Sequence, residues 1–239
     1  MTNKQPVGTS KKNWLRENWL RVLTHVGAWL PGMWLAWNWL HNNLGADPVT
    51  TLNNVTGRTA MVLLLLCLAA TPLYIVTGWR QGLAVRRALG LYAFAYAALH
   101  FANFIVLDYG LDLQFILDDG IQTKPYILVG LTALLALSAL AITSTKGWQK
   151  RLRRQWTRLH ALIYPAGVLV MLHFFWQAKA AEKIEPLLYA TLLGLLLLVR
   201  VTPLRKAIVG RRQRGKTPKR LTIAAPEPTA LTTPPQPTE

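Results

Sequence analysis

The chain is short of acids, of cysteine and of charge as a whole. Of its 239 residues ten are Asp or Glu and one is cysteine, Cys67, against 27 Lys and Arg. One cysteine excludes an internal disulfide and any cysteine-built zinc or iron–sulfur centre. The sequence has no Gly-x-Gly-x-x-Gly and no P-loop. It therefore offers no nicotinamide-binding domain, and a redox partner of that kind must be another protein. No internal repeat is evident. Charged residues make up 15% of the chain, where a soluble domain carries about 25%.

Apolar residues fill the gap. They are 52% of the chain, and the mean hydropathy is +0.24. They gather in blocks long enough to cross a hydrocarbon core about 30 Å thick at about 1.5 Å per residue. Six spans are expected, at residues 22–40, 59–78, 88–107, 126–142, 159–176 and 187–202. Pro31, Pro72 and Pro165 lie in or near spans, where neighbouring helices can satisfy the carbonyls they free. Trp14, Trp19, Trp39, Trp79, Trp148, Trp156 and Trp176 stand near span ends, as an interfacial aromatic belt requires. No small-x-small cleavage site follows the first block, so an uncleaved first span is expected.

A net charge of +17 in a soluble protein would point to nucleic acid. Here its placement explains it. With the N-terminus in the cytoplasm, the inner segments hold 23 Lys and Arg and the outer loops four: Arg58, Lys124, Lys179 and Lys183. Seven of the ten acids lie outside: Asp47, Asp108, Asp112, Asp118, Asp119, Glu182 and Glu185. This is positive-inside bias, and no nucleic-acid role follows from it. The fold class expected is an all-α membrane protein, a six-transmembrane-helix bundle with both N-terminus and C-terminus cytoplasmic. Residues 1–21 form a basic N-terminus and 22–205 the transmembrane domain. Residues 206–239 form a basic, then Pro/Thr-rich tail, which from Gly215 onward has too few apolar residues to fold.

An ionisable residue at membrane depth marks a functional site by default. His41 falls just past the first span and reads as interfacial; His25, His100, His160 and His173 fall within spans. Counted from the cytoplasmic ends, His100 stands about 18 Å up the third span and His173 about 21 Å up the fifth. His25 and His160 both lie near the inner ends. The four form an outer pair and an inner pair. Two imidazoles at one depth on different helices are what a bis-histidine haem needs. Phe101, Phe104, Phe174 and Phe175 are close enough in sequence to pack on a macrocycle, and equally serve as core or lipid-facing residues. Zinc would require three or four ligands at that level. On an ideal helix His160 and His173 are about 140° apart, so they address different neighbours unless Pro165 and Gly167 break the phase.

The stretch "HALIYPAGVLVMLH" (160–173), with His100 on an earlier helix, resembles the ferric-reductase-like transmembrane haem domain. "GADPV" (45–49), "TGRTA" (56–60), "TSTKGWQKRLRRQWTRLHALIYP" (143–165) and "PLLYATLLGLLLLVR" (186–200) are more closely similar to one of its branches. That branch is the haem-binding membrane subunits of bacterial periplasmic protein-methionine-sulfoxide reductase systems. The similarity runs in order from about residue 20 to 205. It implies one or two b-type haems in the bacterial inner membrane, with His100, His160 and His173 as axial ligands. It implies electrons from a quinol or cytoplasmic flavin reductase, and a periplasmic molybdopterin-containing catalytic subunit as acceptor. Flavin mononucleotide is also attributed to the family, and no residue here locates it. The wider family places a second histidine thirteen residues before each outer one. Here that position is Arg87, next to Arg86; His25 has the depth to replace the missing ligand. On this reading the chain is an electron-transfer subunit and has no catalytic residue of its own. Two rival readings remain: a cytochrome b serving another acceptor, such as ferric iron, and a non-redox transporter with a histidine relay.

Overall fold

The structure, a computed structural model, describes residues 11–121, 123–179 and 182–214. The first ten residues and the expected tail beyond 214 lie outside the described residues. Among the described residues nine helices of seven residues or more carry the fold: α1 (Lys11–Leu40), α2 (Pro48–Thr77), α3 (Gln81–Asn103), α4 (Tyr126–Ile142), α5 (Lys146–Leu152), α6 (Arg154–His160), α7 (Ile163–Gln177), α8 (Ile184–Leu198) and α9 (Thr202–Arg214). A π-helical turn, Phe104–Asp108, continues α3, and a second, Ile116–Ile121, lies on the way to α4. No strand occurs among the described residues.

Three continuous helical stretches are long and apolar enough to cross a membrane: α2, α3 with its π-turn, and α6–α7. Two more qualify if each bent pair counts as one span. These are α4 with α5, bent by 95°, and α8 with α9, bent by 70°. The chain is thus a multi-pass helical membrane protein with three to five such spans, against six expected. The difference is α1. Within residues 22–40 four tryptophans, Thr24, His25 and Asn38 dilute its hydropathy, although that expected segment is helical throughout.

Helix starts differ from expectation for a local reason. The second span was expected from residue 59, yet α2 begins at Pro48. Proline is preset for the first helical position, and the Asp47 side chain accepts a hydrogen bond from the Thr50 amide at 3.0 Å. Bonds from Thr50 hold the Asp47 carboxyl below its ordinary range. Gly78, left-handed at φ +79°, closes the same helix, as a C-cap glycine does.

α2 is the central element. It packs chiefly on α3 and also touches α1, α7, α8 and α9, while α4 packs on α7. The core lies along this contact: Leu64, Leu68, Ala93 and Ala166 have 1% exposure or less. α1 leans on α3 through a proline break. Pro31 interrupts its ladder, and Tyr96 of α3 reaches in, its hydroxyl donating to Ala28 O at 2.7 Å and accepting from Gly32 N at 2.8 Å. Truncating that hydroxyl deletes both bonds and leaves Gly32 N and Ala28 O only one another to pair with across the proline break. Tyr96→Phe is expected to cost about 1–3 kcal/mol, read as a lower melting temperature in detergent, with helical content unchanged at low temperature.

Candidate functional site

A histidine buried among helices must place its N–H. Backbone carbonyls are the nearest acceptors, but in an α-helix the side chain at position i+4 leans over the carbonyl of residue i. A glycine at i+4 uncovers that oxygen, which has a second lone pair to offer. The structure uses this device twice at one place. His100 Nδ1 lies 3.0 Å from Asn53 O, and Gly57 stands four residues on. A Cβ on Gly57 would come within 3.1 Å of His100 Nδ1. His173 Nδ1 lies 2.8 Å from Tyr126 O, and Gly130 stands four residues on. There a Cβ would come within 2.7 Å of Nδ1.

The two imidazoles face one another. Their ring centres are 6.3 Å apart and their planes meet at 79°. Because a carbonyl only accepts, Nδ1 carries the proton in both rings and Nε2 keeps the lone pair. Two metal–imidazole bonds of about 2.0 Å, with about 1.2 Å from each nitrogen to its ring centre, give about 6.4 Å between centres. The observed spacing is compatible with two imidazoles held by one metal ion. Among the described residues no three His, Cys, Asp or Glu gather as a metal site would require. Zinc finds too few ligands here.

Asn53 also ties the pair to the outer turn. Its side-chain amide donates to Asp108 Oδ2 at 2.6 Å, while its own Oδ1 is buried without a partner. The π-turn Phe104–Asp108 is what carries Asp108 back to α2; π-turns recur at functional sites.

The inner histidines are not brought together. A turn at Ala161–Leu162 separates α6 from α7, and Pro165 sits in the first turn of α7, where its missing N–H costs nothing. His160 stacks on Trp156 with ring centres 4.0 Å apart, and its Nε2 lies 3.2 Å from Thr143 Oγ1. Trp156 Nε1 donates to Thr143 O at 3.0 Å, fixing the stack. His25 sits on the other side of α3, with Nδ1 2.9 Å from the Tyr92 hydroxyl. No ring contact joins His25 to His160 among the described residues. His41 stacks on Trp37 within its own helix.

Sequence reasoning missed three contributors to this interior. Gly57 and Gly130 look like ordinary helix-packing glycines until the carbonyl behind each is considered. Arg200 reads as an inner-rim charge, yet it turns inward to bond the Tyr164 hydroxyl and Leu68 O, its Nε buried and unpaired.

Residues 56–171 match the family described as ferric reductase like transmembrane component. A protein of Xanthomonas axonopodis pv. citri, named protein-methionine-sulfoxide reductase heme-binding subunit MsrQ, is 46% identical over 184 residues, covering 74% of this chain and 83% of its own. Proteins of the same name from Xanthomonas euvesicatoria pv. vesicatoria and Xanthomonas oryzae pv. oryzae are 45% identical over the same shares. The chain belongs to the MsrQ family.

The close approach at Gly130 makes a sharp test. Gly130→Ala should raise intrinsic helix propensity by about 1 kcal/mol yet push His173 off its carbonyl. The variant is expected to lose stability in detergent, read as a lower melting temperature. Gly57→Ala, with 0.4 Å more room, should lose less.

Proposed function

We propose that this chain is the haem b-bearing electron-transfer subunit of a bacterial protein-methionine-sulfoxide reductase. The observation that carries the reading is the His100–His173 pair, two imidazoles of fixed tautomer at axial spacing. The name of the relatives, with their coverage of the chain, supports it. Bound haem supplies reversible one-electron chemistry at its iron. His100 and His173 would hold the iron from α3 and α7. The Asn53 and Tyr126 carbonyls hold each ring against rotation and make its free nitrogen a stronger donor. Leu68, Ala93 and Ala166 keep water out of the interior, and a dry pocket is one of the levers on potential. His160 offers a nitrogen to a second haem at the inner level. No second imidazole faces it there, so the outer pair carries the proposal.

We place the chain in the inner membrane with six spans and both termini cytoplasmic. The division of Lys and Arg, 23 inside against four outside, supports the orientation. α1 serves as the first span: Val22, Val26, Trp29, Leu30, Met33 and Trp37 are all exposed along it, an apolar surface that lipid would cover. Electrons enter from a quinol or a cytoplasmic flavin reductase. They leave to a periplasmic molybdopterin-containing catalytic subunit, which reduces methionine sulfoxide in oxidised proteins.

The test is a reduced-minus-oxidised spectrum with a parallel low-temperature EPR trace. Wild type is expected to show a b-type band and a low-spin bis-imidazole signal. His100→Ala and His173→Ala should each abolish that low-spin signal, whereas His25→Ala should retain it, and so should His160→Ala. A colourless wild-type protein would sink the haem reading. Loss of methionine-sulfoxide reduction on deletion, with iron reduction intact, checks the acceptor.

A further inference from the structure

A second polar site lies away from the paired imidazoles. Between α1 and α3, at the end that carries Arg80 and Arg87, there is a cleft of about 280 Å³. Arg21, Thr24 and His25 line it from α1, and Arg87 faces them from α3 with Val85 and Leu91 beside it. His25 has its Nδ1 on the Tyr92 hydroxyl, which leaves Nε2 as its remaining polar atom. Among the described side chains no carboxylate lines the cleft. Among the described residues the only ion pair is Arg58–Glu185, near the opposite ends of α2 and α8. A larger apolar groove of about 660 Å³ runs along α1 and α2, past Leu23, Gly27, Leu63 and Leu66. Thr24 and Val85 line both cavities.

We propose that the cleft binds an anionic phospholipid, with the headgroup phosphate between Arg21 and Arg87 and an acyl chain in the groove. Three features select this occupant. The site sits between spanning helices on the basic side, where such pockets take anionic headgroups. Its charge is cationic on both walls. The neighbouring groove offers apolar surface that a soluble anion would leave empty and a lipid chain would cover. The bound lipid braces α1, the least apolar of the long helices, against α3. That α1 spans the membrane, and the choice of leaflet, rest on the topology proposed above; the cationic cleft and its apolar groove do not.

Native mass spectrometry of the full-length protein, titrated with phosphatidylglycerol in mixed micelles, tests the site. Wild type is expected to hold one phosphatidylglycerol in preference to phosphatidylcholine. Arg21→Gln with Arg87→Gln should weaken it roughly thirtyfold, at about fivefold per arginine. Arg21→Lys with Arg87→Lys should keep most of the affinity. Arg205→Gln with Lys206→Gln, on the equally basic α9, should change it less than twofold. If the double glutamine variant loses helical content, each single variant decides, with about a fivefold loss expected. Equal retention of phosphatidylcholine overturns the proposal. So does a loss no larger than in the α9 variant, or displacement of the lipid by excess inorganic phosphate.

Discussion

Every polar side chain that crosses between these helices has to find an acceptor where water is excluded, and the acceptors nearest to hand are already bonded once. The structure resolves this with one local device. Tyr96 reaches Ala28 O beside Gly32, His100 reaches Asn53 O beside Gly57, and Arg212 reaches Tyr74 O beside Gly78. Cys67 reaches Arg86 O beside Gly90, and His173 reaches Tyr126 O beside Gly130. In each case the glycine stands four residues after the acceptor, where a side chain would otherwise cover the oxygen. Arg200 shows the complementary solution. It bonds Leu68 O, and the residue four on is Pro72, which has no N–H to give. That carbonyl lacks its helical donor, and the guanidinium takes its place.

The device orders function as well as packing. A histidine whose Nδ1–H is spent on a fixed carbonyl cannot flip its ring or exchange tautomers without leaving a buried donor unpaired, a loss of about 1–3 kcal/mol. Both Nε2 lone pairs of His100 and His173 are thereby held in place. The two half-sites are also built alike, each with a carbonyl, a glycine one turn on and a histidine 47 residues beyond the carbonyl. α2–α3 and α4–α7 therefore present equivalent surfaces to one another, although no repeat is visible by eye in the sequence. The equivalence lies in one backbone oxygen and one missing Cβ on each side, and two residue types cannot make a recognisable repeat.

This is also where legibility in the sequence ends. Depth along a span follows from counting residues, so the meeting of His100 with His173 could be expected from their positions. Charge sidedness follows from composition. The partner of an imidazole N–H does not, because a backbone carbonyl has no letter. The separation of His160 from His25 was equally hidden. Both have inner depth, but depth says nothing of which side of α3 a residue occupies, and Tyr92 and Thr143 claim them from different sides. The early start of α2 was written in Asp47 and Pro48, whose capping chemistry extends the helix well beyond its apolar stretch.

The two ends of the bundle solve the cost of polarity differently. Around the outer pair the partners are neutral groups and carboxylates: Asn53, the Tyr126 carbonyl, Asp108, and Glu185 paired with Arg58. At the inner end the described side chains are cationic and their partners are a phenol, carbonyls and a hydroxyl: Arg200 on Tyr164, Arg212 on Tyr74 O, Arg86 near Thr71. Neutral acceptors orient a guanidinium without neutralising it. Among the described residues the inner end therefore keeps positive charge without an ion-pair partner close to a low-dielectric interior, where each charge is costly to hold. An anionic group arriving there gains from that charge and relieves it at once. The same field would favour reduction of any redox centre placed at the His160 level, since an added electron is stabilised by nearby cations.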